Sequence, residues 1–239
     1  MKTTTTLALG LAVLLAAGGL HAQSTSSTTY AQPTDTSAAA GTSIYDNPGV
    51  LGHGFADLNY SWVDFSEEDG LDANGFIAGI NGNVPVSRGL DVGLGYNYYR
   101  ENNHRNPFTG TDFDARYHQV AGNATYFVPM SGMKPFVSGG VGYQWSRGDI
   151  QSLSVYDSKW LWGASGGVEL AFGRFAVTPR VSYTDTMHSE KFGSWHYGAE
   201  VHHWFTDRFG GYVDATYHNP RGPERFHSWT YTAGIRMRY

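Results

Sequence analysis

The chain has 239 residues, a formal net charge of −5, 15% charged residues, 31 glycines and no cysteine. The missing cysteine excludes disulfides, thiolate metal sites and an acylated lipobox, and the acidic balance speaks against nucleic acid as a partner. With 7 Trp, 16 Tyr and 13 Phe among so few charges, the composition favours strands over long helices.

Near the start stand Lys2 and, over 7–20, an apolar run, LALGLAVLLAAGGL. That run is too short to span a bilayer comfortably as a helix. Followed by small residues, it reads as a signal peptide over 1–22, cut after Ala22. Residues 23–53 follow, beginning QSTSSTTYAQPTDTSAAAGTS. A segment so rich in Ser, Thr and Ala buries too little surface to offset its ordering entropy, so it is expected to be disordered.

From residue 54 to 239 the pattern changes to period two. Ten strands are predicted near 54–65, 75–86, 89–101, 113–129, 134–146, 158–172, 174–186, 193–205, 211–218 and 228–239, with eight as the alternative count. The last is the clearest. Trp229, Tyr231, Ala233, Ile235, Met237 and Tyr239 alternate with Thr230, Thr232, Gly234, Arg236 and Arg238. Short turns, as at 129–134 and 206–210, alternate with longer polar loops at 66–74, 102–112, 147–157, 187–192 and 219–227. This is the order of an up-and-down meander with two unlike rims.

Composition decides which face meets which solvent. Opposite the apolar face stand Gly, Ser, Thr and Asn with scattered charges, a crowded polar interior rather than the Lys- and Glu-rich surface of a soluble sandwich. Trp and Tyr gather at strand ends, with Ala, Val, Leu and Ile between. Trp62, Trp145, Trp160, Trp195, Phe205, Trp229 and Tyr239 are expected to form aromatic girdles at the two membrane interfaces. An open sheet cannot stand in lipid with unpaired backbone. The predicted fold is therefore all-β, an antiparallel up-and-down transmembrane β-barrel over 54–239.

Thr232-x-Gly234-x-x-Met237-x-Tyr239, together with the strand pattern, resembles the small Gram-negative outer-membrane β-barrel superfamily, the OmpA/OmpX-like porin-family barrels. The resemblance covers roughly 55–239. It implies that Thr232, Gly234, Met237 and Tyr239 form a C-terminal assembly signal read by the barrel-assembly machinery, with Tyr where the family usually ends in Phe. It also implies the cell outer membrane as location, with outer-membrane lipid and lipopolysaccharide as surroundings.

So narrow a barrel has room for side chains or one small ligand. Asp57, Asp91, Glu169, Arg180, His196, Glu200, His202, Asp214, Arg236 and Arg238 are expected to face inward as a polar network. Buried charges need partners, so both arginines should find Asp or Glu. By the same logic, Arg236 should tolerate losing its charge better than Ile235 tolerates gaining one. The leading function is a monomeric structural or surface-interaction barrel with a largely filled lumen. The alternative is a narrow small-solute or ion pore, favoured slightly by inward glycines that leave space. A further alternative is a hydrolase, a protease or lipid A modifying enzyme. Glu67, Glu68, Asp69, Asp72, Asp185, His188 and Glu190 gather at the outer rim, but no omptin motif is recognisable, and an enzyme is not expected. Neither a cofactor nor a metal is expected: His202 and His203 should split between lumen and lipid, and His104, His188 and His227, in different outer loops that could converge, are more readily read as solvated side chains.

Overall fold

The computed structural model describes residues 49–66, 73–102, 104–105, 112–150, 153–187, 193–221 and 227–239. The leader, most of the Ser/Thr/Ala-rich segment, and Glu67, Glu68, Asp69, Asp72, His188 and Glu190 lie outside the described residues. The strands are β1 (Phe55–Ser66), β2 (Ala73–Ser87), β3 (Leu90–Asn102), β4 (His104–Arg105), β5 (Asp112–Phe127), β6 (Met133–Ile150), β7 (Leu153–Phe172), β8 (Phe175–Thr186), β9 (Ser194–Trp204), β10 (Phe209–Pro220) and β11 (His227–Arg238). The two-residue β4 only extends the edge of β5. The other ten strands pair antiparallel with their sequence neighbours, and β11 pairs with β1 along the whole of both, from Phe55↔Arg238 to Ser66↔His227. The sheet is thus a closed ten-stranded barrel in which every strand has two neighbours, as lipid demands of a spanning sheet.

One rim carries both described chain ends and the short turns. Gly89, Gly132 and Gly173 take positive φ there (114°, 73° and 59°), a conformation glycine adopts without steric cost. In outer-membrane barrels the short turns are periplasmic and the longer loops extracellular.

The alternation of faces is that of the sequence. Leu58, Ile80, Leu94, Val137, Val181, Val201 and Val213 lie exposed on the outer wall, Leu94 at 64%. So large an apolar band is the lipid-facing surface of a membrane barrel. Aromatic rings bound it on both sides. Towards the long-loop rim runs a chain of ring contacts, Tyr60–Phe76–Tyr98–His118–Trp145–Tyr143–Trp160, continued by Trp162–Tyr183–Trp195 and Tyr217–Trp229–Tyr231. Near the short-turn rim stand Tyr126, Phe172, Phe175, Phe205, Phe209 and Tyr239.

Two sequence expectations are corrected. Residues 147–150 and 153–157 are strand, not loop. The β6–β7 hairpin continues past the other strands, pairing Arg147↔Tyr156 through Ile150↔Leu153. Its 18- and 20-residue strands exceed the roughly 9–11 residues that cross a bilayer, so the Ile150↔Leu153 end of the ladder stands beyond the membrane. Leu153 and Val155 continue the ladder where a polar, Gly- and Asp-containing stretch had suggested a loop. The second correction concerns residues 49–53, placed by composition in the disordered segment. They are ordered, with Val50 and Leu51 at 1% and 0% exposure inside the short-turn mouth.

Candidate functional site

The polar lumen is built in three tiers. At the short-turn mouth, the chain at 49–52 enters the barrel and is held from several sides. The Glu169 carboxylate of β7 accepts from the backbone amides of Val50 (2.6 Å) and Leu51 (3.0 Å). Lys134 of β6 lies 3.3 Å from Glu169 and donates to the Leu51 carbonyl. The indole of Trp204 in β9 donates to the Gly49 carbonyl at 3.2 Å, and Arg238 of β11 donates to the same oxygen. Leu51 itself packs with Phe127 of β5 and Phe136 of β6. Asp91 of β3 is fully buried and faces Lys134, Glu169 and the backbone of Gly52.

The middle tier centres on Arg236, 1% exposed. Its guanidinium donates to both Glu200 oxygens (2.9 and 3.4 Å), contacts Asp57 at 3.5 Å and reaches His202 Nδ1 at 3.3 Å. It lies between the rings of Phe55 (4.5 Å) and Tyr212 (4.4 Å). Asp57 also accepts from Asn81 (2.8 Å) and Asn59 (3.4 Å). Beside this node Arg180 of β8 reaches over β9 to Asp214 of β10 at 2.7 Å. Gly198 makes the reach possible: it stands in register between Arg180 and Thr216, and a Cβ there would fall 2.4 Å from Thr216 Oγ1.

The third tier lies nearer the long-loop rim. His196 and His218 face each other across β9 and β10 with Nδ1 atoms 2.6 Å apart, one donating and one accepting. Their Nε2 atoms bond Thr184 and Thr230, each at 2.8 Å. Thr184, His196, His218 and Thr230 thus form a hydrogen-bonded chain through four successive strands.

The structure therefore places Asp57, Asp91, Glu169, Arg180, His196, Glu200, His202, Asp214, Arg236 and Arg238 on the lumen side and gathers them into these tiers. Arg238 departs from the expected carboxylate partner. Among the described residues it makes no direct carboxylate contact; it uses the Gly49 carbonyl and lies 3.9 Å over the Trp204 ring. Three of the inward glycines do not leave open bore either. Hypothetical Cβ atoms at Gly79, Gly93 and Gly95 would fall 2.2–2.4 Å from side-chain oxygens of Asn97, Asn123 and Asn81. These glycines are where asparagines of neighbouring strands lie flat against the wall.

Sequence reasoning missed Lys134, Trp204, Tyr212 and His218 as lumen groups. Lys134 had been placed in a turn, although it is in phase with Phe136 and Ser138. Trp204 and His218 were in inward phase but passed over. Val50 and Leu51, an apolar pair in a polar segment, were the available signal for the plug.

Of the assembly-signal residues, Thr232 faces inward and bonds Ser61 across the closing seam at 2.8 Å. Gly234 lies under the Tyr212 ring. Met237 and Tyr239 are exposed on the outer wall, and Tyr239 Oη donates to the Asn83 carbonyl at 2.6 Å. Of the girdle residues, Trp62, Trp145, Trp160, Phe205, Trp229 and Tyr239 are exposed and Trp195 half-buried. At the rim, Asp185 accepts from Tyr183 Oη at 3.0 Å, and the His227 ring stacks on Tyr217. His202 is buried in the lumen, while His203 stacks outward on Phe175 at 4.1 Å between ring centres.

No family model matches the sequence, and no curated protein matches it. Solved structures do resemble the fold. The translocator domain of the autotransporter NalP from Neisseria meningitidis is 10% identical, with 82% of this chain and 91% of that chain covered and a TM-score of 0.52. Neisserial surface protein A is 14% identical over 78% of this chain and 97% of its own, with a TM-score of 0.44. The outer membrane protease OmpT from Escherichia coli is 8% identical over 78% and 94%, with a TM-score of 0.47. With its closed sheet, apolar outer wall and aromatic girdles, the chain is a transmembrane β-barrel of the outer-membrane type.

Proposed function

We propose that this barrel is a structural and surface-interaction protein of the outer membrane whose lumen is sealed rather than conducting. The observation that carries this reading is the seat of residues 49–52, tied to β3, β5, β6, β7, β9 and β11 at the short-turn mouth. Above it the bore is crossed by charged and hydrogen-bonded side chains, and a filled interior of this kind suits a narrow barrel. The barrel works as a monomer surrounded by outer-membrane lipid and lipopolysaccharide, and its β11 terminus is read by the barrel-assembly machinery during insertion. No catalytic activity is part of this reading. Purified protein reconstituted in a planar bilayer should give no stepwise conductance. Discrete openings that change when Arg236 or Glu200 is neutralised would refute a sealed lumen and establish the pore instead.

A further inference from the structure

The polar network of the lumen is one-sided. Its two upper tiers draw on β8–β11, β1 and β2. On the opposite wall, β3, β5, β6 and β7 set Asn97, Gln119, Gln144 and Lys159 in one row, each the direct cross-strand partner of the next. The row faces the lumen, since Tyr98, His118, Trp145 and Trp160 beside it belong to the outer aromatic girdle. Directly opposed residues of paired strands hold their Cβ atoms about 4.5–5.5 Å apart, near enough for two glutamines to bond. Gln119 and Gln144 do not. They are 4% and 5% exposed, and Gln119 Nε2 and Gln144 Oε1 are shut off from solvent with no hydrogen-bond partner among the described residues. Folded chains leave few buried polar groups unpaired, because each bears its full desolvation penalty. Here an unused donor stands beside an unused acceptor.

The surroundings leave these amides a space to serve. Towards the plug, the next inward residues of β5 and β6 are Ala121 and Gly142, themselves direct partners, so nothing longer than a methyl group stands beneath the pair on its own strands. Towards the long-loop rim stand Tyr99 and Tyr117, with ring centres 5.6 Å apart. Solvent reaches the lumen between plug and rim: Asn59, Asn97, Asn123 and Ser182 face inward yet keep partial exposure. The charges there are matched, Lys159 by Asp157 at 3.1 Å and Arg180 by Asp214 at 2.7 Å. Matched charges disfavour an ionic ligand. An unused donor beside an unused acceptor suits hydroxyls, which both donate and accept, and the apolar faces of a sugar ring pack on aromatic side chains. Three inter-strand spacings of about 4.8 Å make the row roughly 14 Å long along the wall, room for two sugar rings.

We propose that Asn97, Gln119, Gln144 and the Tyr99–Tyr117 pair form a binding site for a neutral saccharide of one or two rings, with Gln119 donating to its hydroxyls and Gln144 accepting from them. The ligand enters from the long-loop side. That direction rests on the reading that residues 49–52 seal the short-turn mouth, and the site gives the surface-interaction role a chemical class of ligand.

The test uses the full chain folded in a detergent without a sugar headgroup, titrated calorimetrically with maltose, lactose and trehalose. At least one disaccharide should bind saturably with a Kd below about 1 mM, whereas glycerol, which has hydroxyls but no ring, should not saturate. The variant Q119L/Q144L should weaken that binding at least about tenfold. Its unfolding midpoint should be unchanged or raised, because replacing both amides by apolar groups strands no partner. Absence of saturable binding of all three disaccharides by the wild type would overturn the site without needing any variant to fold. So would binding that survives Q119L/Q144L, a lowered midpoint in that variant, which would make the pair structural, or tighter binding of N-acetylglycinamide, which would make the occupant a peptide. Planar-bilayer conductance of the same protein separates the two readings. A barrel that conducts yet binds the sugar loses the seal and keeps the site, whereas a silent barrel that binds no sugar loses only the site.

Discussion

Replacing Arg236 by Met should be among the most damaging single changes in the barrel. The guanidinium contacts Glu200 at 2.9 and 3.4 Å and Asp57 at 3.5 Å, all three residues being buried. Met matches much of the side-chain volume and can still pack between the Phe55 and Tyr212 rings, so the cavity term is small. What remains is the charge. Asp57 keeps its bonds from Asn81 and Asn59, but Glu200 loses both of its bonds from Arg236. Removing one partner of a buried ion pair costs about 3–5 kcal/mol, chiefly through the stranded charge, or some two to three and a half powers of ten in the folding constant. The combined change R236M/E200Q/D57N strands nothing and should recover most of that loss. The assay is denaturant unfolding of the barrel in vesicles, followed by tryptophan fluorescence, for the wild type, R236M and the triple variant. A loss below about 1 kcal/mol in R236M, or a triple variant as unstable as the sum of its single changes, would refute the ion-pair account.

Ile235→Arg sets a charge on the lipid face, where Ile235 is 47% exposed midway between the Tyr231 and Tyr239 rings of the two girdles; it should cost about 2–4 kcal/mol by the same unfolding assay, much the same as the loss of Arg236. Similar losses for the two variants would depart from the sequence expectation that Arg236 tolerates losing its charge better than Ile235 tolerates gaining one. Gly234→Ala puts a Cβ 2.4 Å from the Tyr212 ring and should destabilise by about 1–3 kcal/mol in the unfolding midpoint. Leu51→Cys would be the sole thiol of a cysteine-free chain; a maleimide should label it slowly, and at least about tenfold faster when Glu169→Gln weakens the bonds from Val50 and Leu51. Equal labelling rates would show that Glu169 does not hold the plug.

Most of the barrel was legible because a strand's side-chain period is two: once lipid is assigned to the apolar face, the inward address of Asp57, Glu169 or Arg236 follows without any tertiary information. The partners were not legible. Arg238 and Arg236 are two residues apart on the same face, yet one meets Glu200 and Asp57 and the other a carbonyl and an indole. What separates them is the returning segment at 49–51, whose docking is long-range: Gly49 and Arg238 are 189 positions apart. Composition averaged that segment into a disordered stretch, although its apolar pair Val50 and Leu51 is buried at the mouth. The β6–β7 extension failed for the opposite reason. Ladder hydrogen bonds need only backbone, so the paired stretch can outrun the hydrophobic alternation used to find it.

The inner polar groups also fix the closing seam. β1 and β11 are the most distant partners in the chain, and their pairing carries the largest loop-closure cost. Asp57 stands directly opposite Arg236, and Ser61 directly opposite Thr232, and both pairs are bonded inside the lumen. A slip of one residue would turn β11 over. Arg236 and Arg238 would then face hydrocarbon, at up to about 2–4 kcal/mol each depending on depth, while Trp229, Tyr231 and Ile235 would be forced into a filled lumen. A slip of two residues would keep the faces but part Arg236 from Asp57 and Thr232 from Ser61, leaving buried groups unpaired. Alternation alone rejects odd slips. The two cross-seam pairs reject even ones, so the charges inside this narrow barrel specify where the sheet closes as well as filling its core.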